Sequence, residues 1–217
     1  MTRAALAVAL LSLVLICGGC EEAGRATPPE LRAFENPPEL APFNLVDHHG
    51  RPFNGARLLG HWTFLTFGYT SCPDVCPATL AHLAQLRKSL ASDWRGAPPQ
   101  FVFVSVDPAR DSIAVLRRYV SAFDPQFLGA TGSQEAVNRM HESVGGAHRF
   151  GKSRPDHGGH YSVDHSAPFY IVDPEGRLHA QVAPPYDPAA LARGIMHMVH
   201  TFAERRPIAT APAAGKS

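Results

Sequence analysis

Two cysteines four positions apart stand between prolines in Thr70-Ser71-Cys72-Pro73-Asp74-Val75-Cys76-Pro77, directly after the apolar run Trp62 to Phe67. Sulfurs paired at this spacing can form a structural bridge, work as a redox couple or clamp a metal. Residues four apart on a regular helix hold their Cβ atoms roughly 5–6 Å apart, whereas a disulfide wants about 3.5–4.5 Å. Pro77 disfavours helical backbone at Cys76, so both cysteines are expected in the loop before a helix, where bridge and open dithiol are both reachable. Such a loop faces a helix N-terminus, whose partial positive charge favours thiolate, the form that attacks disulfides and ligates metals. A permanent bridge closing so short a loop would remove little chain entropy, which favours chemistry over stapling.

A metal needs more than two sulfurs. Soft thiolates select copper(I), and an imidazole completes a trigonal site or serves copper(II). The chain carries 12 histidines, four of them, His148, His157, His160 and His165, between Ala147 and Ser166. His165 is the informative one, because it lies just before the apolar run Pro168 to Val172 and a loop at that strand's edge can carry it to the cysteines. His157 and His160, in Asp156-His157-Gly158-Gly159-His160, read as solvated loop residues, and His48, His49, His197 and His200 as surface or helix-face residues. Two cysteines, a histidine and an open position fit zinc as well as copper.

The elements that must position these residues alternate between strand and helix. Trp62 to Phe67 and Phe101 to Val106 are apolar throughout, which suits strands covered on both faces. Helical spacing of Leu80, Leu83, Leu86 and Leu90 predicts a helix from Pro77 to about Asp93, with proline suited to its first position. Further helices are predicted from about Asp111 to Phe123 and from Ser133 to Val144. Pro168 to Val172 reads as a strand, Asp173-Pro174-Glu175-Gly176 as a turn and Leu178 to Val182 as the hairpin partner. A last helix opens at Asp187-Pro188 and stacks Leu191, Ile195, Met198, Val199 and Phe202 on one side. The order, βαβα followed by ββα, argues for an α/β domain with a central mixed β-sheet and helices on both faces.

With 217 residues, 45% hydrophobic and 18% charged, the chain can bury a full core in roughly one domain without help from a disulfide. Its 20 basic and 19 acidic side chains leave a net charge of +1, so no overall field gathers phosphate backbones, and nucleic acid is not an expected partner. Residues 1–20 read as an export signal, since Ala4 to Ile16 is apolar apart from Ser12 and an h-region runs about 7–15 residues where a membrane span needs about 20. Cys17-Gly18-Gly19-Cys20 resembles bacterial lipoprotein processing, which makes Cys20 the lipid-bearing N-terminus; an uncleaved membrane anchor is the alternative. Residues 21–42 read as a Pro-, Glu- and Ala-rich flexible tether, 43–202 as the folded domain, and 203–217 as a frayed, disordered tail.

Three stretches resemble the Sco/SenC family: Phe67 to Pro77, Ser105 to Ser112, and Tyr161 to Ser166 leading into Tyr170-Ile171-Val172-Asp173. The similarity extends from about Phe43 to Phe202. It implies a thioredoxin-like fold, a membrane-tethered copper chaperone on the periplasmic, extracytoplasmic side, and assistance in assembling the CuA centre of cytochrome c oxidase. Implied partners are the CuA-bearing oxidase subunit, with other periplasmic copper chaperones or thiol reductants behind it. Carried over by position, the family's copper ligands fall on Cys72, Cys76 and His165. Asp107 matches a family aspartate near the site, implying an orienting role; otherwise it is a turn residue before Pro108. Thioredoxins proper use Cys-x-x-Cys beside a cis-proline, whereas here the motif is Cys-x-x-x-Cys, Ala167 takes the proline's position and Pro168 follows. The competing function is a thiol:disulfide oxidoreductase in which Cys72 and Cys76 are the catalytic dithiol that reduces a partner's cysteines. A peroxide-consuming activity is a more distant option.

Overall fold

The computed structural model of the protein describes residues 28, 30–146, 148–150, 163–165 and 168–205. Their strands are β1 (Leu31–Ala33), β2 (Asn44–Asp47), β3 (Pro52–Asn54), β4 (Thr63–Gly68), β5 (Gln100–Ser105), β6 (Leu128–Thr131), β7 (His148–Phe150), β8 (Val163–His165), β9 (Phe169–Val172) and β10 (Leu178–Val182). The helices are α1 (Val75–Ala91), α2 (Ile113–Phe123), α3 (Gln134–Ser143) and α4 (Pro188–Arg205). Eight strands form one mixed sheet in the order β1-β10-β9-β4-β5-β6-β2-β3, while β7 and β8 pair separately as an antiparallel ribbon with His148 opposite His165.

Parallel strands β4, β5 and β6 occupy the middle of the sheet, and every residue of β4 is buried. That is the physical reason these strands read as unbroken apolar runs: crossover helices cover them and leave no solvated face to alternate with. Phe64, Phe101 and Phe127 stack in a row with centroids 4.6 and 5.4 Å apart. Side chains alternate across β4, so Phe64 and Gly68 point toward the layer of α1, α2 and α4, while Phe67 points the other way and stacks on His141 of α3 at 4.2 Å. Helices thus lie on both faces.

The β4-α1-β5-α2 unit and the β9-β10-α4 unit match the predicted order, and additional short strands flank them. β6 contains Leu128-Gly129-Ala130-Thr131, with neither length nor β-propensity to announce it; it forms because β5 supplies a parallel edge on one side and β2 an antiparallel one on the other. Packing also reaches into the segment read as a tether: Leu31 is buried and β1 pairs with β10, so the folded unit starts ahead of Phe43. At the other end α4 continues through Arg205, past the expected limit at Phe202. Among the described residues no helix is long and apolar enough to cross a membrane. The signal-like segment, Cys20, and His157 and His160 lie outside the described residues.

Candidate functional site

The cysteines sit where β4 ends and α1 begins. Helix α1 starts earlier than expected, at Val75, which places Cys76 in its first turn and Pro77 at the third helical position. Proline is tolerated there because first-turn N–H groups have no partner within the helix. One of those orphan donors, the Cys76 N–H, is directed at Cys72 Sγ at 3.5 Å. Asp74, at the N-cap, makes no side-chain capping bond, so sulfur takes the place a carboxylate would usually fill. Neither sulfur is in a disulfide.

The two thiols differ. Burial pushes Cys72 up, but hydrogen bonds from the Cys76 and Asp74 backbone and from the side chains of Cys76 and Tyr69 outweigh it and hold this thiol below its ordinary value. Cys76 is 3% exposed. Burial raises its thiol strongly; a backbone hydrogen bond with Tyr69 opposes this only partly, and the sulfur of Cys72 and the charge of Asp111 add to the rise. The first proton therefore leaves from Cys72, and Cys76 keeps its own, donating it toward the neighbouring sulfur. A soft cation that binds both sulfurs has to displace that second proton.

Close approach is built into the strand end. A Cβ on Gly68 would sit 2.6 Å from Cys76 Sγ and 2.7 Å from the Phe103 ring, so only glycine lets the sulfur settle onto β4. The loop itself is held by Asp111. This buried carboxylate accepts from the Thr70 N–H at 2.9 Å, the Thr70 hydroxyl at 2.6 Å and the Ser105 hydroxyl at 2.6 Å, tying the cysteine loop to the end of β5. Asp107 stands one step further out. It pairs with Arg110, whose guanidinium lies 5.5 Å over the Tyr69 ring, and Tyr69 in turn hydrogen-bonds Cys72. Asp107 thus reaches the sulfurs through two intervening side chains.

The structure places Cys72 and Cys76 together. The backbone of His165 belongs to β8, whose side chains are outside the described residues. Antiparallel pairing of β9 with β4, Leu65 opposite Tyr170 and Thr63 opposite Val172, brings the chain into β9 at the end of the sheet where β4 delivers the cysteines. His48, expected on the surface, is instead buried: its Nδ1 accepts the Gly129 N–H at 2.8 Å and its carbonyl accepts from Arg117. This bond reflects β6 lying against the Asp47–His48 turn, a contact no local pattern encodes. Asp111, Thr70, Ser105 and Tyr69 were legible only as members of motifs, because their partners are distant in sequence. Two sulfurs with an outer layer of hydrogen bonds suit a soft metal.

A mixed sheet flanked by helices, carrying a dithiol at the junction of a central parallel strand and its following helix, defines a thioredoxin-like domain. The family model described as SCO1/SenC matches residues 33–200, and the chain belongs to that family. It is 40% identical over 134 residues to the bovine protein named "Protein SCO2 homolog, mitochondrial", covering 62% of this chain and 50% of the relative. With "Protein SCO1, mitochondrial" of Saccharomyces cerevisiae it shares 36% identity over 180 residues, 81% of this chain and 59% of the relative. The chain thus spans about half to three-fifths of the length of these relatives. The crystal structure of yeast Sco1 with copper bound superimposes with a TM-score of 0.69 at 34% identity, covering 83% of this chain and 97% of that one.

Proposed function

We propose that this chain is a copper-binding metallochaperone that holds one copper ion through Cys72, Cys76 and His165 and passes it to the CuA-bearing subunit of cytochrome c oxidase. The observation that carries this reading is the pair of free sulfurs held together at the strand-to-helix junction, Cys72 partly exposed and accepting the Cys76 N–H at 3.5 Å and Cys76 buried behind the strand end, so that a soft cation can bind both and a partner's ligands can displace them stepwise. Copper bound to the related yeast structure supports the cargo, and the description of another solved relative as a member of the Sco family of cytochrome c oxidase assembly proteins supports the client. Cys20 would carry a lipid, holding the domain at the membrane on the extracytoplasmic side.

The test is anaerobic copper(I) titration of the reduced chain against a chromogenic chelator, with wild type, Cys72→Ser, Cys76→Ser and His165→Ala. One ion per chain is expected for wild type. Each substitution should weaken binding by more than the about 10–100-fold typical of an outer hydrogen-bond partner. Unchanged affinity in His165→Ala would overturn the three-ligand site. Thiol–disulfide exchange measured on the same variants separates the oxidoreductase reading, which needs both cysteines and no histidine, and zinc competition tests the choice of metal.

A further inference from the structure

His48 follows β2 directly and is 2% exposed. The Gly129 N–H lies 2.8 Å from its Nδ1. A backbone N–H can only donate, so Nδ1 carries the lone pair and the neutral ring holds its one proton on Nε2. Further bonds meet at the same residue: its N–H donates to the Gly129 carbonyl at 2.7 Å, and its carbonyl accepts from Arg117 of α2 at 2.8 and 3.0 Å. The seam around it is short. Strands β2 and β3 are the last two of the sheet, and β2 meets β6 at two register positions, Val46 opposite Thr131 and Asp47 opposite Ala130. An edge hairpin on such a ladder is the kind of unit that opens locally while the core stays folded.

The charges that face this imidazole are Asp47, His49 and Arg51 of its own turn and Arg117 of α2, while β6 brings only the uncharged Leu128-Gly129-Ala130-Thr131. Asp47 favours a second proton on the ring, but its carboxylate already accepts from the His49 and Arg51 N–H groups at 2.9 Å and from the Arg51 guanidinium at 3.1 Å. Burial first, then the His49 ring 4.1 Å away, with Arg117 and Arg51, outweigh Asp47 and hold His48 below its ordinary 6.5.

We propose that His48 is an acid-sensitive latch: when its ring takes a second proton from solvent, the β2–β3 hairpin detaches from β6 while the rest of the sheet stays folded. An imidazolium has no lone pair on either nitrogen, so the Gly129 N–H loses its acceptor and faces another N–H across 2.8 Å. A buried charge beside an unsatisfied donor is relieved when the turn reaches water, and a ladder of two paired positions resists little. Opening carries Leu45 and Phe53, both buried in the closed form, toward solvent and bares the edge of β6. The closed form favours the neutral ring, so closure is complete above about pH 6.5. It is lost as pH falls from there toward the folded value, the open fraction rising by up to about tenfold per pH unit. The latch shares no residue with the dithiol and stands apart from the copper-binding reading.

The experiment uses the full chain, reduced and metal-free, as wild type and His48→Asn, whose side-chain oxygen can take the place of Nδ1 without titrating. Residue-resolved amide hydrogen exchange, corrected for the intrinsic pH dependence of exchange, gives opening constants from pH 7.5 to 5, and NMR follows the ring nitrogens of His48 in the wild type. The expected results are a single Nε2–H tautomer at pH 7.5 and amides of Gly129 and His48 that open at least about tenfold more often than that of Val104 in the central strand β5. Below pH 6.5 the Gly129 opening constant should rise by up to about tenfold per unit, and in His48→Asn it should stay flat. Equal opening constants at Gly129 and Val104 would show that the edge comes away only with the whole domain and would overturn the latch. A wild-type ring that gains its proton with no change at Gly129 overturns it too, and that result is available even where His48→Asn fails to fold. A folded His48→Asn that keeps the wild-type pH dependence assigns the opening to another group and likewise overturns the proposal.

Discussion

The two ends of β4 are each organised by a buried aspartate, and the two carboxylates work differently. At the amino end Asp173 builds its own hairpin turn: it accepts from the Glu175 and Arg177 N–H groups at 3.0 Å and pairs with Arg177 and His179, all within six residues of itself. At the carboxyl end Asp111 reaches back 41 positions to Thr70 and six to Ser105. One carboxylate is a local staple and the other a clamp between the cysteine loop and the neighbouring strand. Beside the amino end lies a cavity of about 740 Å³ lined by Leu31, His179, Met198 and Phe202 among others. The sulfurs lie at the far end, Cys72 partly exposed and Cys76 buried.

Asp111→Ala puts the sharpest strain on this comparison. It leaves three donors without their acceptor, two of them in or beside the buried strand end, and hydrogen bonds to a charged group contribute about 1.5–3 kcal/mol each. Allowing for water reaching Thr70, a loss of about 3–5 kcal/mol is expected in urea unfolding, together with copper(I) affinity weakened about 10–100-fold as the loop loosens. Asp173→Ala should cost less, about 2–3 kcal/mol, and leave copper(I) affinity at the wild-type value. Equal loss of affinity in both variants would show that the two ends of β4 are not independent.

Gly68→Ala comes next. The added methyl meets Cys76 Sγ and the Phe103 ring at under 3 Å, and overpacking of this kind costs about 1–3 kcal/mol. Because the sulfur is one of the two atoms that must give way, affinity should fall with stability, in contrast to Asp173→Ala. Urea titration and chelator competition on the same preparation check both.

How much of this could be read from the residues follows the same division. The turn built by Asp173 was visible because its signals, Asp-Pro-Glu-Gly between two apolar runs, are contiguous. Apolar runs and leucine spacing likewise placed β4, β5, α1, α2 and α4, since burial on both faces and helical periodicity are local properties. The clamp by Asp111 was not visible: its partners are set by which strands lie side by side. Pro77 misled in one respect, moving the predicted helix start past Cys76, because the preference against helical backbone before proline was outweighed by a sulfur that accepts the Cys76 N–H. His48 shows the same limit, its bond to Gly129 arising from a strand of four residues that no propensity reveals. Cys72 and Cys76 stood out from their spacing and are adjacent in the fold, whereas the part of His165 rests on its motif and on the direction in which the chain enters β9.

The smallest predicted effect is a pH dependence that should separate the two ends by sign. At the dithiol end Cys76 and Tyr119 are both raised above their ordinary values of 9.0 and 10.0, burial being the first cause of each. A group whose folded value is raised contributes stability that is complete below its unfolded value and is lost as pH climbs beyond it. The metal-free protein should therefore lose about 1–2 kcal/mol between pH 9 and 10.5, and less of it in Cys76→Ala. At the other end, hydrogen bonds from His179 and the backbone, outweighing burial, hold Asp173 below its ordinary 3.8. Its contribution is present above that value and is lost as pH falls through the folded one, so Asp173→Asn should flatten the acid limb and leave the alkaline limb alone. Copper(I) affinity runs opposite to alkaline stability: binding displaces the Cys76 proton, and the Cys72 proton where it is still held, so affinity should rise by about tenfold per pH unit for each proton displaced. A chain whose copper(I) affinity is flat from pH 6 to 8 would mean that the second sulfur ionises without the metal, and the difference between the two thiols would be lost.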